Sequence, residues 1–175
     1  MALLADYALN IPYLANIFAK KTEIIYINGS PRTINTTNEM LHIYPNSNGV
    51  KTGFTNNAGR CLVTSATNSE GWQLISVVLG CDTKNFRTQD SKKLLDYGFK
   101  NFEIVNIGEI LPKNVVFEVE KSFDKIYKIG VEYNYLYPLT QNEKERLRYD
   151  ATEIQYLEAP VVENTVIVQY TIYLR

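Results

Sequence analysis

Apolar residues recur at helical spacing at the start of the chain, with Leu3, Leu4, Ala8 and Ile11 on one face and Leu14, Ile17 and Phe18 continuing it. The pattern predicts two short helices, over residues 2–10 and 12–20, the second opened by Pro12. Residues 22–28 read as a strand ending at the turn Asn28-Gly29-Ser30-Pro31. Three further strands, over about 49–55, 60–67 and 72–80, are joined by Asn56-Asn57-Ala58-Gly59 and Asn68-Ser69-Glu70-Gly71. Connections that short make an antiparallel meander. Asp82 or Thr83 can cap the helix that follows, and Gly98 is placed to end it. Past residue 105 the pattern becomes all strand, with apolar and polar residues alternating over 115–120, 126–135, 154–157 and 166–174. Val166, Val168, Tyr170, Ile172 and Leu174 share one face of the last strand.

Composition adds bounds rather than detail. Hydrophobic residues are 45% and charged residues 21% of the 175, ordinary proportions for a folded globular chain. A net charge of −1 argues against a nucleic-acid partner or an electrostatic membrane patch. No run reaches the ~18 apolar residues of a membrane helix. No signal peptide precedes Ala2. Cys61 and Cys81 lie in different apolar runs and read as buried thiols rather than a disulfide or a ligand pair. With His42, the single histidine, they lack zinc-ligand spacing, so no metal or cofactor is expected.

Candidate chemistry concentrates at Lys51-Thr52-Gly53. A lysine at a cleft edge attracts a peptide's terminal carboxylate, and a threonine adds a hydroxyl donor to the same group. A glycine removes a side chain where a substrate must lie close to the strand, so an extended peptide can pair with the edge. The bland alternative for Lys51 is an edge-strand lysine that blocks aggregation. Lys-Thr-Gly is one of three elements that build the active site of penicillin-recognising serine enzymes. The other two, a Ser-x-x-Lys helix start carrying the nucleophile and a Ser-x-Asn loop, do not occur upstream of Lys51.

The surroundings carry a resemblance. Gly49-Val50-Lys51-Thr52-Gly53-Phe54-Thr55, Ala58-Gly59-Arg60-Cys61-Leu62-Val63, Leu74-Ile75-Ser76-Val77-Val78-Leu79-Gly80 and Leu94-Leu95-Asp96-Tyr97-Gly98-Phe99 resemble the low-molecular-mass penicillin-binding proteins. More narrowly, the chain is similar to the C-terminal part of the serine D-alanyl-D-alanine carboxypeptidases. The resemblance extends through nearly all of the chain, including Leu157-Glu158-Ala159-Pro160-Val161 and an opening Met1-Ala2-Leu3-Leu4-Ala5 that is an internal helix in that family. It implies an α+β fold. Residues 1–105 would be a remnant of the β-lactamase-like antiparallel sheet with flanking helices, and 106–175 a small all-β, sandwich-like domain. It also implies an extracytoplasmic setting, with peptidoglycan stem peptides and β-lactams as partners of the complete enzyme. Family members carry a signal peptide and often a C-terminal anchoring helix. Neither pattern is present between Met1 and Arg175, which fits a truncated chain.

By the same resemblance Lys51, Thr52, Gly53 and the Phe54 backbone N–H would be catalytic, the last as one oxyanion-hole donor. Thr52 and Arg87 would hold the substrate carboxylate. On its own, Arg87 reads equally as a solvated helix residue. Complete family members acylate a serine with the penultimate D-alanine, release the terminal one and deacylate with water, a lysine on the nucleophile's helix serving as base. No nucleophile is expected in this chain. Ser122-Phe123-Asp124-Lys125 has the Ser-x-x-Lys spacing, but it follows Lys-Thr-Gly and lies in the strand region. Tyr44-Pro45-Asn46 mimics the second motif only a few residues before Lys51 and reads as a loop; His42 reads as a loop or strand-end residue. The expectations are a chain silent by itself, either part of a carboxypeptidase or half of a split enzyme. The alternative is a non-catalytic binding or scaffold fragment. The strand over 72–80 is apolar on both faces and lacks the usual defences against edge pairing. Self-association, or pairing with an N-terminal segment, is therefore expected.

Overall fold

A computed structural model describes residues 1–153 and 157–175. The chain divides into two compact units, Met1–Asn101 and Phe102–Arg175. In the first, helices α1 (Ala2–Leu9) and α2 (Pro12–Phe18) lead into β1 (Thr22–Ile27). The expected turn is a two-residue hairpin with Asn28 and Gly29 at positive φ. The chain then returns as β2 (Ser30–Asn35), antiparallel to β1. Polar, proline-bearing β2 shows no apolar alternation, so the sequence pattern does not mark it.

A short helix α3 (Met40–Ile43) precedes the expected meander: β3 (Ser47–Thr55), β4 (Gly59–Thr67) and β5 (Gln73–Cys81), in the order β3-β4-β5. Among the described residues neither β3 nor β5 has a strand on its outer side. Register puts Leu62, Thr64 and Ala66 of β4 on one face with Val78, Ser76 and Leu74 of β5. Helix α4 (Lys84–Asn101) packs on β4 and β5, presenting a buried stripe of Arg87, Thr88, Ser91 and Leu95. Met40, Leu62, Ala66 and Leu95 form the core, flanked by Tyr44, Leu74 and Phe99. Trp72 meets Phe99 edge-to-face at 5.5 Å between ring centroids.

Thr83 caps α4, its Oγ1 accepting from the Phe86 N–H at 3.1 Å. Gly98 does not end the helix, which runs on to Asn101. A Cβ at Gly98 would lie 2.4 Å from Leu74 Cδ1, so the glycine serves close helix–sheet approach instead. Gly49 has a related role. With φ at +152°, it faces α2, and a Cβ there would sit 2.9 Å from Phe18 Cβ. The expected apolar face of α1 is mostly uncovered: Ala5 is buried, whereas Leu3 is 86% exposed.

Among the described residues, the second unit holds three two-stranded antiparallel ladders, of which the sequence pattern marks only parts. They pair β6 (Glu103–Asn106) with β9 (Leu136–Leu139), β7 (Asn114–Glu118) with β8 (Ile126–Gly130), and β10 (Leu147–Glu153) with β11 (Val168–Leu174). The strand expected over 126–135 stops at Gly130. Beyond it the Asn106 side chain donates to Tyr133 O (2.8 Å) and accepts from the Tyr135 N–H (3.0 Å), holding an irregular segment in place. Nor is the region all strand. Thr140 and Glu143 form a capping box that starts helix α5 (Gln141–Arg146). Of the strand expected over 154–157, residues 154–156 lie outside the described residues; Leu157 is buried.

Candidate active site

Lys51 and Thr52 lie in the middle of β3, on an outer strand of the sheet. Strand alternation separates their side chains: Lys51 shares a face with Gly49 and Gly53, and Thr52 shares the other with Val50 and Phe54. Both line one cleft of about 650 Å³ between α2, the base of the β1–β2 hairpin, the loop after β2 and β3. Lys20 and Lys21 line it too, with Phe18 and Ile34 supplying apolar wall. Lys20 is ion-paired with Glu23, whose carboxyl that hydrogen bond and charge hold below the ordinary glutamate range. Lys51 is exposed, its Nζ donating to Thr52 O at 2.7 Å.

Thr52 is anchored from behind. Its Oγ1 lies 2.5 Å from Thr37 Oγ1, either hydroxyl being able to donate. Arg87 approaches the same place from α4. It is 2% exposed, not a solvated helix residue. Its Nη2 meets Glu39 Oε2 at 2.6 Å and donates a longer bond to Thr37 O (3.4 Å), while Nη1 donates to Cys61 O (3.5 Å). Burial pushes the Glu39 carboxyl upward. Its own backbone N–H and the Arg87 guanidinium outweigh that, so it titrates below the usual glutamate value.

Gly53 and Phe54 continue β3 beyond the cleft lining, and Phe54 is 55% exposed with the Arg60 guanidinium 4.3 Å from its ring centroid. The structure therefore brings Lys51, Thr52 and, through Thr37, Arg87 to one cleft, with Gly53 and Phe54 on the strand leading away. Nothing in the sequence pattern marks Thr37 and Glu39. They sit in a polar loop, Thr36-Thr37-Asn38-Glu39, whose role depends on contacts with residues 15 and 48 positions away.

The remaining candidates are elsewhere. His42 is exposed on α3 rather than in a loop. Tyr44 packs against the core and donates its hydroxyl to Asp96 at 3.0 Å. Ser122 sits in the β7–β8 turn with its hydroxyl donating to Val119 O at 2.7 Å, not at a helix start. Cys61 and Cys81 are free thiols but half-buried, because both lie near the ends of their strands rather than under α4.

The D-alanyl-D-alanine carboxypeptidase family, peptidase S11, matches residues 1–83. D-alanyl-D-alanine carboxypeptidase DacA of Haemophilus influenzae is 36% identical over 125 residues, covering 70% of this chain and 31% of that protein. DacA of Escherichia coli is 51% identical over 61 residues, covering 35% of this chain and 15% of that protein. Among solved structures, penicillin binding protein 5 from Haemophilus influenzae aligns with a TM-score of 0.74 at 27% identity, covering 99% of this chain and 50% of that one. The chain thus spans about a third or less of the curated relatives it matches. Residues 1–83 thus match the D-alanyl-D-alanine carboxypeptidase family, a match that takes in the Lys-Thr-Gly strand and the meander and ends at the Thr83 cap of α4.

Proposed function

We propose that this chain supplies the carboxylate-binding wall of a serine D-alanyl-D-alanine carboxypeptidase acting on peptidoglycan stem peptides outside the cytoplasm. The observation that carries the reading is the cleft, where Lys51 and Thr52 meet on an outer strand. Lys51 attracts the terminal carboxylate of the peptide and Thr52 donates a hydroxyl to it. Gly53 has no internal reason to be glycine: a Cβ there would meet only Cys61 Cβ, at an ordinary 3.7 Å. The missing side chain leaves room for a ligand along the strand. The Phe54 N–H is one oxyanion donor, worth ~3 kcal/mol of transition-state stabilisation. Arg87 adds its charge behind Thr52. In this reading β3-β4-β5 is part of the penicillin-recognising sheet, and the ladders of the second unit are the family's β-rich C-terminal domain.

These 175 residues hold no Ser-x-x-Lys before Lys51, so the chain by itself forms no acyl-enzyme. Losing a serine nucleophile costs on the order of a millionfold in rate where that has been measured. The test is covalent labelling of the purified chain by a fluorescent penicillin, with D-alanine release from a D-Ala-D-Ala peptide as second readout. Neither signal is expected. Stoichiometric labelling would overturn the reading, and labelling mapped to Ser122 would install that serine as the nucleophile. In a complete enzyme containing this wall, Lys51→Ala chiefly weakens turnover of substrates with a free C-terminal carboxylate. An unchanged rate there removes Lys51 from the mechanism.

A further inference from the structure

We propose that Thr37 is a second carboxylate-binding hydroxyl of this cleft, forming a two-pronged donor with Thr52, and that Glu39 and Arg87 are the positioning residues that hold it there. The inference rests on the carboxylate-wall reading above and extends it to residues outside the Lys-Thr-Gly motif.

The two hydroxyl oxygens are 2.5 Å apart and both residues line the cleft. One hydroxyl proton bridges the pair and the other remains available. An arriving carboxylate has two oxygens and only acceptor capacity. It replaces the internal bond when each hydroxyl turns its proton to one oxygen, giving two parallel O–H···O bonds without movement of the backbone. A fork of this kind is the geometry in which carboxylate recognition gains both strength and direction.

Thr37 belongs to an exposed loop, so something must fix it. The fixing group is Arg87. Its buried guanidinium donates to Thr37 O, and Glu39, two residues further along the same loop, ion-pairs with it at 2.6 Å. The loop is thereby clamped at two points on either side of Asn38, which is itself buried and accepts the Met40 N–H on its side-chain oxygen at 3.1 Å. With its Nη groups engaged and only 2% of its surface exposed, Arg87 acts on a ligand through Thr37 rather than by touching it.

The experiment is an NMR titration of the isotopically labelled full chain with N-acetyl-D-Ala-D-Ala and, separately, with its C-terminal amide. Signals of Thr37 and Thr52 should move together with the acid and hardly at all with the amide. Thr37→Val keeps the shape and removes the hydroxyl; it should weaken binding of the acid about tenfold, while Thr37→Ser retains it. Glu39→Gln should lower the acid-over-amide preference with Thr37 still present, an effect that a purely structural loop anchor would not have. If residues 51–54 respond to the acid but Thr37 does not, or Thr37→Val binds as wild type does, the second prong is wrong and the carboxylate wall stands. If no residue from Lys51 to Phe54 distinguishes acid from amide, both fall.

Discussion

Arg87 is a charge held inside the first unit, and its environment sets what substitutions there cost. Glu39→Ala leaves the guanidinium buried without its counter-ion, and we expect a loss of about 3 kcal/mol in urea unfolding. Because the Glu39 carboxyl titrates below its ordinary value when folded, its contribution is present above the unfolded pKa and lost as pH falls through the folded one. Stability should therefore decline on the acid side of about pH 4.5, its slope flattened in Glu39→Gln. Tyr44 marks the alkaline side. Burial, then the hydrogen bond and charge of Asp96, push its hydroxyl up to about 12. A raised tyrosine stabilises the fold below the unfolded value near 10 and ceases to do so as pH passes the folded one. Absorbance titration should show a late tyrosinate that is absent in Tyr44→Phe. At this scale the Lys-Thr-Gly residues were legible because they form a contiguous motif. Thr37 and Glu39 were not, because a hydroxyl or carboxylate in a polar loop carries no mark of the partner it will meet.

Among the elements, two positions carry more than their neighbours. Gly49→Ala drives a Cβ to 2.9 Å from Phe18 Cβ at a backbone φ of +152°. Something must shift between α2 and β3, and we expect a loss of about 2 kcal/mol with distortion of the cleft wall, read by denaturant unfolding and by the Lys51 and Thr52 amide shifts. Thr140→Ala removes the capping box of α5 at about 1 kcal/mol, confined to the second unit. The meander was readable in advance because apolar strands were separated by short Asn- and Gly-containing turns. Helix α5 was not, because Gln141-Asn-Glu-Lys-Glu-Arg146 has no apolar stripe, although Thr140 and Glu143 already stood at capping-box spacing. Gly98 misled for the opposite reason: a glycine near a helix end signals a stop unless a neighbour, here Leu74, needs the room.

For the whole molecule, the exposed edges decide behaviour. The outer side of β5 has no strand partner among the described residues, and Leu79 on it is 63% exposed. Leu3, Leu4 and Tyr7 of α1 are open to solvent as well. Such a chain should not remain a free monomer; it pairs with a second copy or with a further segment that completes the sheet. Light scattering should report a dimer or larger species, and Leu79→Lys, at an already exposed site, should shift it toward monomer. A stable monomer at high concentration with slow amide exchange across residues 74–79 would sink the idea.

Trp72 is the sole tryptophan, and it belongs to the first unit, edge-on to Phe99 at the far end of α4. The second unit has its own optical signature in the contacts of Tyr133, Tyr149 and Tyr170. Tryptophan emission thus reports on the first unit alone, whereas tyrosines lie in both units. Emission excited at the red edge, where tyrosine does not absorb, follows the unit that carries the cleft and ignores the other. A melt recorded in that channel, set beside tyrosine circular dichroism that sums over both units, shows from one unlabelled sample whether the two units melt together.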